Sequence, residues 1–268
     1  MPLSGKDILL YEKRDHIIII TLNRPERMNS FTLELFDLCD EAWARFRDDD
    51  DARVAIITGA GDRALSTGMD LKEQAERVAK DPHFDVVKLR PGVLDGTVGT
   101  PKGSRVHKPV IVAVNGIATA MGFQITMHSD IRVACEEARF GVSEVRVGRG
   151  TPWAVPALSQ MPLPIADEIL ITGELIPAQR LYEVGWLNKV VPRDQLMPTA
   201  IKMAEMIRDN APLSVKAAKS MLTKVSDMVV MNGIEMAKLI YAPVYASEDA
   251  IEGPRSFAEK RKPVWKGK

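Results

Sequence analysis

Cysteine is scarce. Only two occur in 268 residues, Cys39 and Cys135, far apart and without metal-ligand spacing. That excludes a disulfide framework and suggests a reducing compartment, with both thiols in buried elements. Net charge is missing too, because 36 Lys and Arg balance 36 Asp and Glu. No whole-molecule field then draws the chain to nucleic acid or anionic lipid, and an anionic ligand has to be held by a local site. Long apolar runs are also absent. The longest strongly apolar one, Ile17 to Ile20, is far too short to span a bilayer, and the opening MPLSGKDILLYEKRD lacks the basic-then-apolar order of a leader. Together these absences predict a cytoplasmic protein with no membrane and no nucleic-acid partner.

What is present is core-forming material, 46% hydrophobic against 27% charged, enough for one large domain or a domain with a helical appendage. The runs HIIIITL (16–22), VAIITG (54–59), PVIVAV (109–114) and IRVAC (131–135) are short, β-branched and almost continuously apolar, the pattern of strands buried on both faces. Between the first two, Phe36, Cys39, Trp43 and Phe46 recur at helical spacing behind Ser30 or Thr32 as N-cap. From about Pro164 onward the chain reads as successive amphipathic helices. The stretch RPGVLDGTVGTPKGSRVHKP (90–109) is rich in Gly and Pro and without apolar periodicity, and reads as a mobile loop. It is locally basic, but it has no interleaved aromatics to support a nucleic-acid patch.

Three places invite chemistry. GAGDRALSTGMDLKE (59–73) and VNGIATAMGFQITMHSD (114–130) each leave a strand and enter a helix through small residues, which leaves backbone N–H groups near Gly68–Asp70 and Met121–Gly122 without partners. Neither is a Walker loop or a spaced GxGxxG. In RFGVSEVRVGRG (139–150) a lone carboxylate, Glu144, sits among small and apolar neighbours in what reads as buried β-structure.

In order, TLNRPERMNSF, VAIITGAGDRALSTGMDLKE, KPVIVAVNGIATAMGFQITMHSDIRVACEEARFGVSEVRVG, ILITGELIPAQRLYEVGWLNKVVP and SEDAIEGPRSFAEKRKPVWKG strongly resemble the enoyl-CoA hydratase/isomerase (crotonase) family over nearly the whole chain. The resemblance implies an α/β fold, a crotonase-like spiral of ββα units over 1–195 carrying the coenzyme A and active sites. A C-terminal helical region, 196–268, would mediate trimers, often paired into hexamers. It implies that Met69 and Met121 supply two backbone N–H groups to a thioester carbonyl and that Glu144 is the acid/base carboxylate. The substrate is then carried as a coenzyme A thioester, with no permanently bound cofactor and no metal. Coenzyme A would bend around Glu26, Arg27 and Met28 and around Thr67, Met69, Asp70, Leu71 and Lys72, with Gly122 at the second turn. Lys72 is either a phosphate partner or a solvated lysine. Lys260 either reaches a neighbouring subunit's cofactor or belongs only to assembly.

The chain departs from the family where hydratases carry a second carboxylate, because Gln124 stands there; an amide orients water but takes up no proton at neutral pH. Met121 also places a side chain where the family usually has none. Hydratase is the family's commonest activity. Δ3,Δ2-enoyl-CoA isomerases and hydroxycinnamoyl-CoA hydratase-lyases are one-glutamate relatives, and GMDLKE and FGVSE look like the latter. A reading from another class is a CoA-thioester binding or scaffold protein without turnover.

Overall fold

The computed structural model describes residues 8–81, 83–84 and 86–264, except the side chains of 87, 224–233, 236–237 and 240–241; the first seven residues of the stretch read for a leader lie outside that set. Strands β1 (Leu9–Arg14) and β2 (Ile17–Leu22) form a hairpin turned by Asp15 and His16, both at positive φ (44° and 65°), as a two-residue turn between twisted strands requires. Helix α1 (Leu33–Asp48) follows. Thr32 caps it by accepting the Leu35 N–H at 3.2 Å, and Phe36, Cys39, Trp43 and Phe46 are buried.

Three strand–strand–helix turns then wind in succession. The first is β3 (Val54–Gly59), β4 (Ala64–Ser66) and α2 (Leu71–Lys80), leading into the short helices α3 (Val86–Leu89) and α4 (Gly92–Asp95). The second is β5 (Val110–Val114), β6 (Ile117–Thr119) and α5 (Met121–Met127). The third is β7 (Ile131–Cys135), β8 (Arg139–Gly141) and a single 3-10 turn, Glu144–Val147. The long strand of each turn enters one sheet, ordered β1-β2-β3-β5-β7-β10, and the short strand enters a second, ordered β4-β6-β8-β9. Here β9 is Ile176–Pro177 and β10 is Lys189–Val191. Beyond the β1–β2 hairpin the large sheet is parallel throughout, and its central strands β3 and β5 are buried along their whole length, which accounts for their unbroken apolar runs.

The remaining helices are α6 (Ala157–Gln160), α7 (Leu163–Thr172), α8 (Ala178–Glu183), α9 (Leu196–Arg208), α10 (Pro212–Tyr245) and α11 (Asp249–Ala258). Helix α9 lies across β3, β5 and β7 with Leu196, Ala200 and Ala204 buried. Helix α11 returns to pack on α2 and on the Glu144–Val147 turn.

Two expectations are corrected. Glu144 is not on buried β-structure: the strand ends at Gly141 and the chain tightens into a 3-10 turn. Nor is 90–109 a loose loop. The Gly99 N–H donates to Asp40 Oδ1 at 2.7 Å, Trp43 Nε1 donates to the Gly99 carbonyl at 3.1 Å, and Thr100 is fully buried. Its glycines serve close packing, Gly99 on α1 and Gly96 against His128 and Trp153. At Gly99 (φ +71°) a Cβ would stand 3.2 Å from the Phe36 ring.

Candidate active site

The parallel neighbours β4, β6 and β8 end on the same edge of the small sheet, so the segments that follow them are brought together there. These are Thr67–Asp70, Ala120–Gly122 and Ser143–Glu144. Ligand sites form where the carboxyl ends of parallel strands open, and here they border a cavity of about 570 Å³.

At the first junction Phe31 donates its N–H to the Gly68 carbonyl (2.7 Å) and accepts from the Asp70 N–H (2.8 Å). Successive groups of an extended segment point to opposite sides, so the Met69 N–H between them is directed away from Phe31. At the second junction Met121 opens α5, where the first N–H groups have no acceptor within the helix. Its nitrogen is 3.7 Å from the point that a Cβ on Gly68 would occupy. That closeness constrains the backbone. Ala120 sits at φ +51°, ψ −114°, a conformation costly for any residue with a side chain, and its Cβ has room only because Gly68 lacks one; a Cβ there would stand 2.5 Å away. A Cβ on Gly122 would stand 2.3 Å from the Ser66 carbonyl oxygen, so glycine lets the start of α5 rest on the end of β4.

At the third junction Glu144 lines the cavity with Oε2 shielded from solvent and without a hydrogen-bond partner among the described residues. Burial pushes its carboxyl up to about 7, against the opposing pull of its own backbone N–H, because desolvation penalises the charged form. Gln124 also lines the cavity; it is 2% exposed and its Oε1 is unpartnered among the described residues.

The opposite wall is built from the turn after β2 and the start of α2. Asn29, fully buried, accepts the Arg24 N–H at 2.8 Å and donates to the Ala64 carbonyl at 2.8 Å, fastening this turn to the β4 loop. Asp70 caps α2 through the Lys72 and Glu73 N–H groups and pairs with Arg24 at 2.9 Å. Burial raises its carboxyl, but the Arg24 guanidinium, the Glu73 N–H and Ser30 more than offset this and hold it below the usual range.

Of the sequence-predicted residues, Glu144, Met69, Met121, Gln124, Arg27, Thr67, Asp70, Leu71 and Lys72 line this one cavity. Four do not. Glu26 and Met28 belong to the turn behind it, where the Met28 carbonyl accepts the Thr67 N–H at 3.2 Å, and Gly122 is buried against the Ser66 backbone. Lys260 is exposed just past α11. Sequence reasoning missed other parts of the lining, among them Val93, Leu94, Trp153 and Phe257 as apolar surface and Arg149 and Tyr245 as polar groups. Val93, Leu94, Tyr245 and Phe257 come from segments distant in sequence, and Arg149 and Trp153, though close to Glu144, belong to no motif that marks them. Among the described residues no cluster of three or more His, Cys, Asp or Glu is placed to hold a metal ion, and no helix is long and apolar enough to cross a membrane.

Residues 12–268 match the enoyl-CoA hydratase/isomerase family. An enoyl-CoA hydratase of Mycobacterium tuberculosis is 37% identical over 97% of this chain and 96% of its own length. A carnitinyl-CoA dehydratase of Salmonella paratyphi B is 38% identical over 94% and 95%. The crystal structure of a carnitinyl-CoA hydratase from Mycobacterium avium superposes with a TM-score of 0.82 at 32% identity, covering 98% of this chain and 100% of that one. The chain therefore belongs to the enoyl-CoA hydratase/isomerase family and is an acyl-CoA enzyme.

Proposed function

We propose that the protein interconverts a 2-enoyl-CoA and its 3-hydroxyacyl-CoA, holding the thioester enolate on the Met69 and Met121 N–H groups and moving the C2 proton with Glu144. One observation carries this reading: the two junction backbones and a carboxyl group poised near neutrality border the same cavity. As the C2 proton leaves, negative charge collects on the thioester oxygen, and a preorganised N–H donor is worth about 3 kcal/mol of barrier. A carboxyl near 7 both accepts and returns a proton at physiological pH. Gln124, an amide at the rim of the same space, would orient the water without ionising.

That single ionisable group also favours a second reading, a Δ3,Δ2-enoyl-CoA isomerase or a hydroxycinnamoyl-CoA hydratase-lyase, in which one carboxylate performs both proton transfers. The coenzyme A portion would lie along Arg27 and Thr67–Lys72, with Lys72 toward a phosphate. No permanently bound cofactor is required for these steps. We also read the chain as a cytoplasmic homotrimer or hexamer, a reading that rests on the family resemblance of its C-terminal helices.

Rates on crotonyl-CoA, a 3-enoyl-CoA and feruloyl-CoA, for wild type and Glu144→Gln, test the assignment. Hydration of crotonyl-CoA should dominate, and the variant should lose roughly 10²–10⁴-fold in turnover with thioester affinity within a few-fold. Unchanged turnover in the variant would remove Glu144 from the mechanism, and binding without turnover on all three substrates would make the protein a scaffold.

A further inference from the structure

The charged side chains around the cavity leave one cation unaccounted for. Arg146 pairs with Glu174, and Asp70 is taken by Arg24. Arg27 and Lys72 stand on the wall assigned to coenzyme A. Arg149 lies on the other wall, in the segment between the Glu144–Val147 turn and Trp153. Its backbone is fixed at both ends, by its own N–H to the Glu144 carbonyl at 3.0 Å and by Tyr245 Oη donating to the neighbouring Gly150 carbonyl at 2.7 Å. Its guanidinium makes no hydrogen bond or ion pair with any described residue. The Glu144 carboxyl does not serve as its partner either, since burial raises that group and no cation lowers it.

An arginine without a counter-charge on a largely apolar wall fits a ligand that brings the charge itself. Val147, Trp153 and Phe257 line the same cavity, and the guanidinium fork matches the two oxygens of a carboxylate. We propose that Arg149 selects acyl-CoA substrates whose acyl group carries an anionic terminus, a carboxylate, and disfavours those ending in a quaternary ammonium. This rests on the acyl-CoA reading of the cavity and narrows its substrate class.

The same guanidinium chemistry could serve a coenzyme A phosphate, so the experiment separates the two sources. Calorimetric affinities would be measured for butyryl-CoA, glutaryl-CoA and 4-trimethylammoniobutyryl-CoA with wild type, Arg149→Met and Arg149→Lys. These saturated thioesters report binding whether or not the enzyme turns over any enoyl substrate. Wild type should prefer glutaryl-CoA over butyryl-CoA by about tenfold or more, the value of one charge-assisted pair, and should bind the ammonium thioester weakest. Arg149→Met should erase the preference while leaving butyryl-CoA affinity within about threefold, with Arg149→Lys intermediate. Equal wild-type affinity for the three would overturn the proposal, as would an equal loss on all three in Arg149→Met, which would place the guanidinium on coenzyme A. A failure of catalysis appears separately, as absent turnover of crotonyl-CoA and of the carboxylate-ended enoyl-CoA despite binding.

Discussion

Glu144 shows how one residue's surroundings set both chemistry and stability. Because burial raises its carboxyl to about 7, the folded protein holds that proton more tightly than the unfolded chain does. The stability from this preference is complete below the unfolded carboxylate value and is lost as pH rises through about 7. Glu144→Gln, which cannot ionise, should therefore melt several degrees above wild type near pH 8, with the gap closing below about pH 5; scanning calorimetry across that range checks it. Under the proposed role of Glu144, catalysis moves the other way. Dehydration of a 3-hydroxyacyl-CoA starts with removal of the C2 proton, so its kcat/KM should climb with pH and level off above an apparent pKa near 7. A flat profile would mean that another group takes the proton. The position of Glu144 was legible in the sequence through the FGVSE stretch. Its environment was not, since the apolar wall comes from Trp153, Leu94 and Phe257, residues contributed by three separate segments.

The strands that lead into the cavity are among the shortest. β4, β6 and β8 have three residues each, too few for a periodic pattern, whereas the five- and six-residue runs of the large sheet announced themselves. The sequence reading therefore recovered β2, β3, β5 and β7 and the start of α5, and it located both backbone junctions by their small residues, yet it did not register the small sheet that aligns them. It also took the glycines of 90–109 for mobility, because hydrogen bonds to Asp40 and from Trp43, over fifty residues away, carry no local signal. Close approach between elements gives a direct test. A Cβ on Gly122 would meet the backbone oxygen of Ser66 at 2.3 Å, a contact that no side-chain rotation relieves, so in Gly122→Ala the start of α5 must move off β4. If the Met121 N–H is the proposed transition-state donor, its displacement should lower kcat roughly 10²–10³-fold with a smaller change in KM. Circular dichroism should show that the variant keeps its helical content. A variant with wild-type kcat would remove the α5 N-terminus from the reaction.

For the whole molecule, the question is what covers the C-terminal helices. Helix α9 turns one face to the large sheet, with Leu196, Ala200 and Ala204 buried, but Met206 on the same helix is 63% exposed. Beyond it Leu213, Met221, Leu222 and Leu239 on α10 and Ile251 and Phe257 on α11 are exposed as well. Single exposed apolar side chains are ordinary, but a series along adjoining helices costs solvation unless another surface covers it. The chain's formal net charge of zero provides no long-range repulsion to keep copies apart. Closed symmetry would bury such a surface without leaving it open to further addition. Light scattering across a dilution series should accordingly give three or six times the chain mass. A charge within such a surface would have to be desolvated on assembly, so Leu213→Glu combined with Leu239→Glu, at exposed positions outside the cavity lining, should shift the population toward monomer. A sharp monomer mass for the wild type at every concentration would show that these helices face solvent.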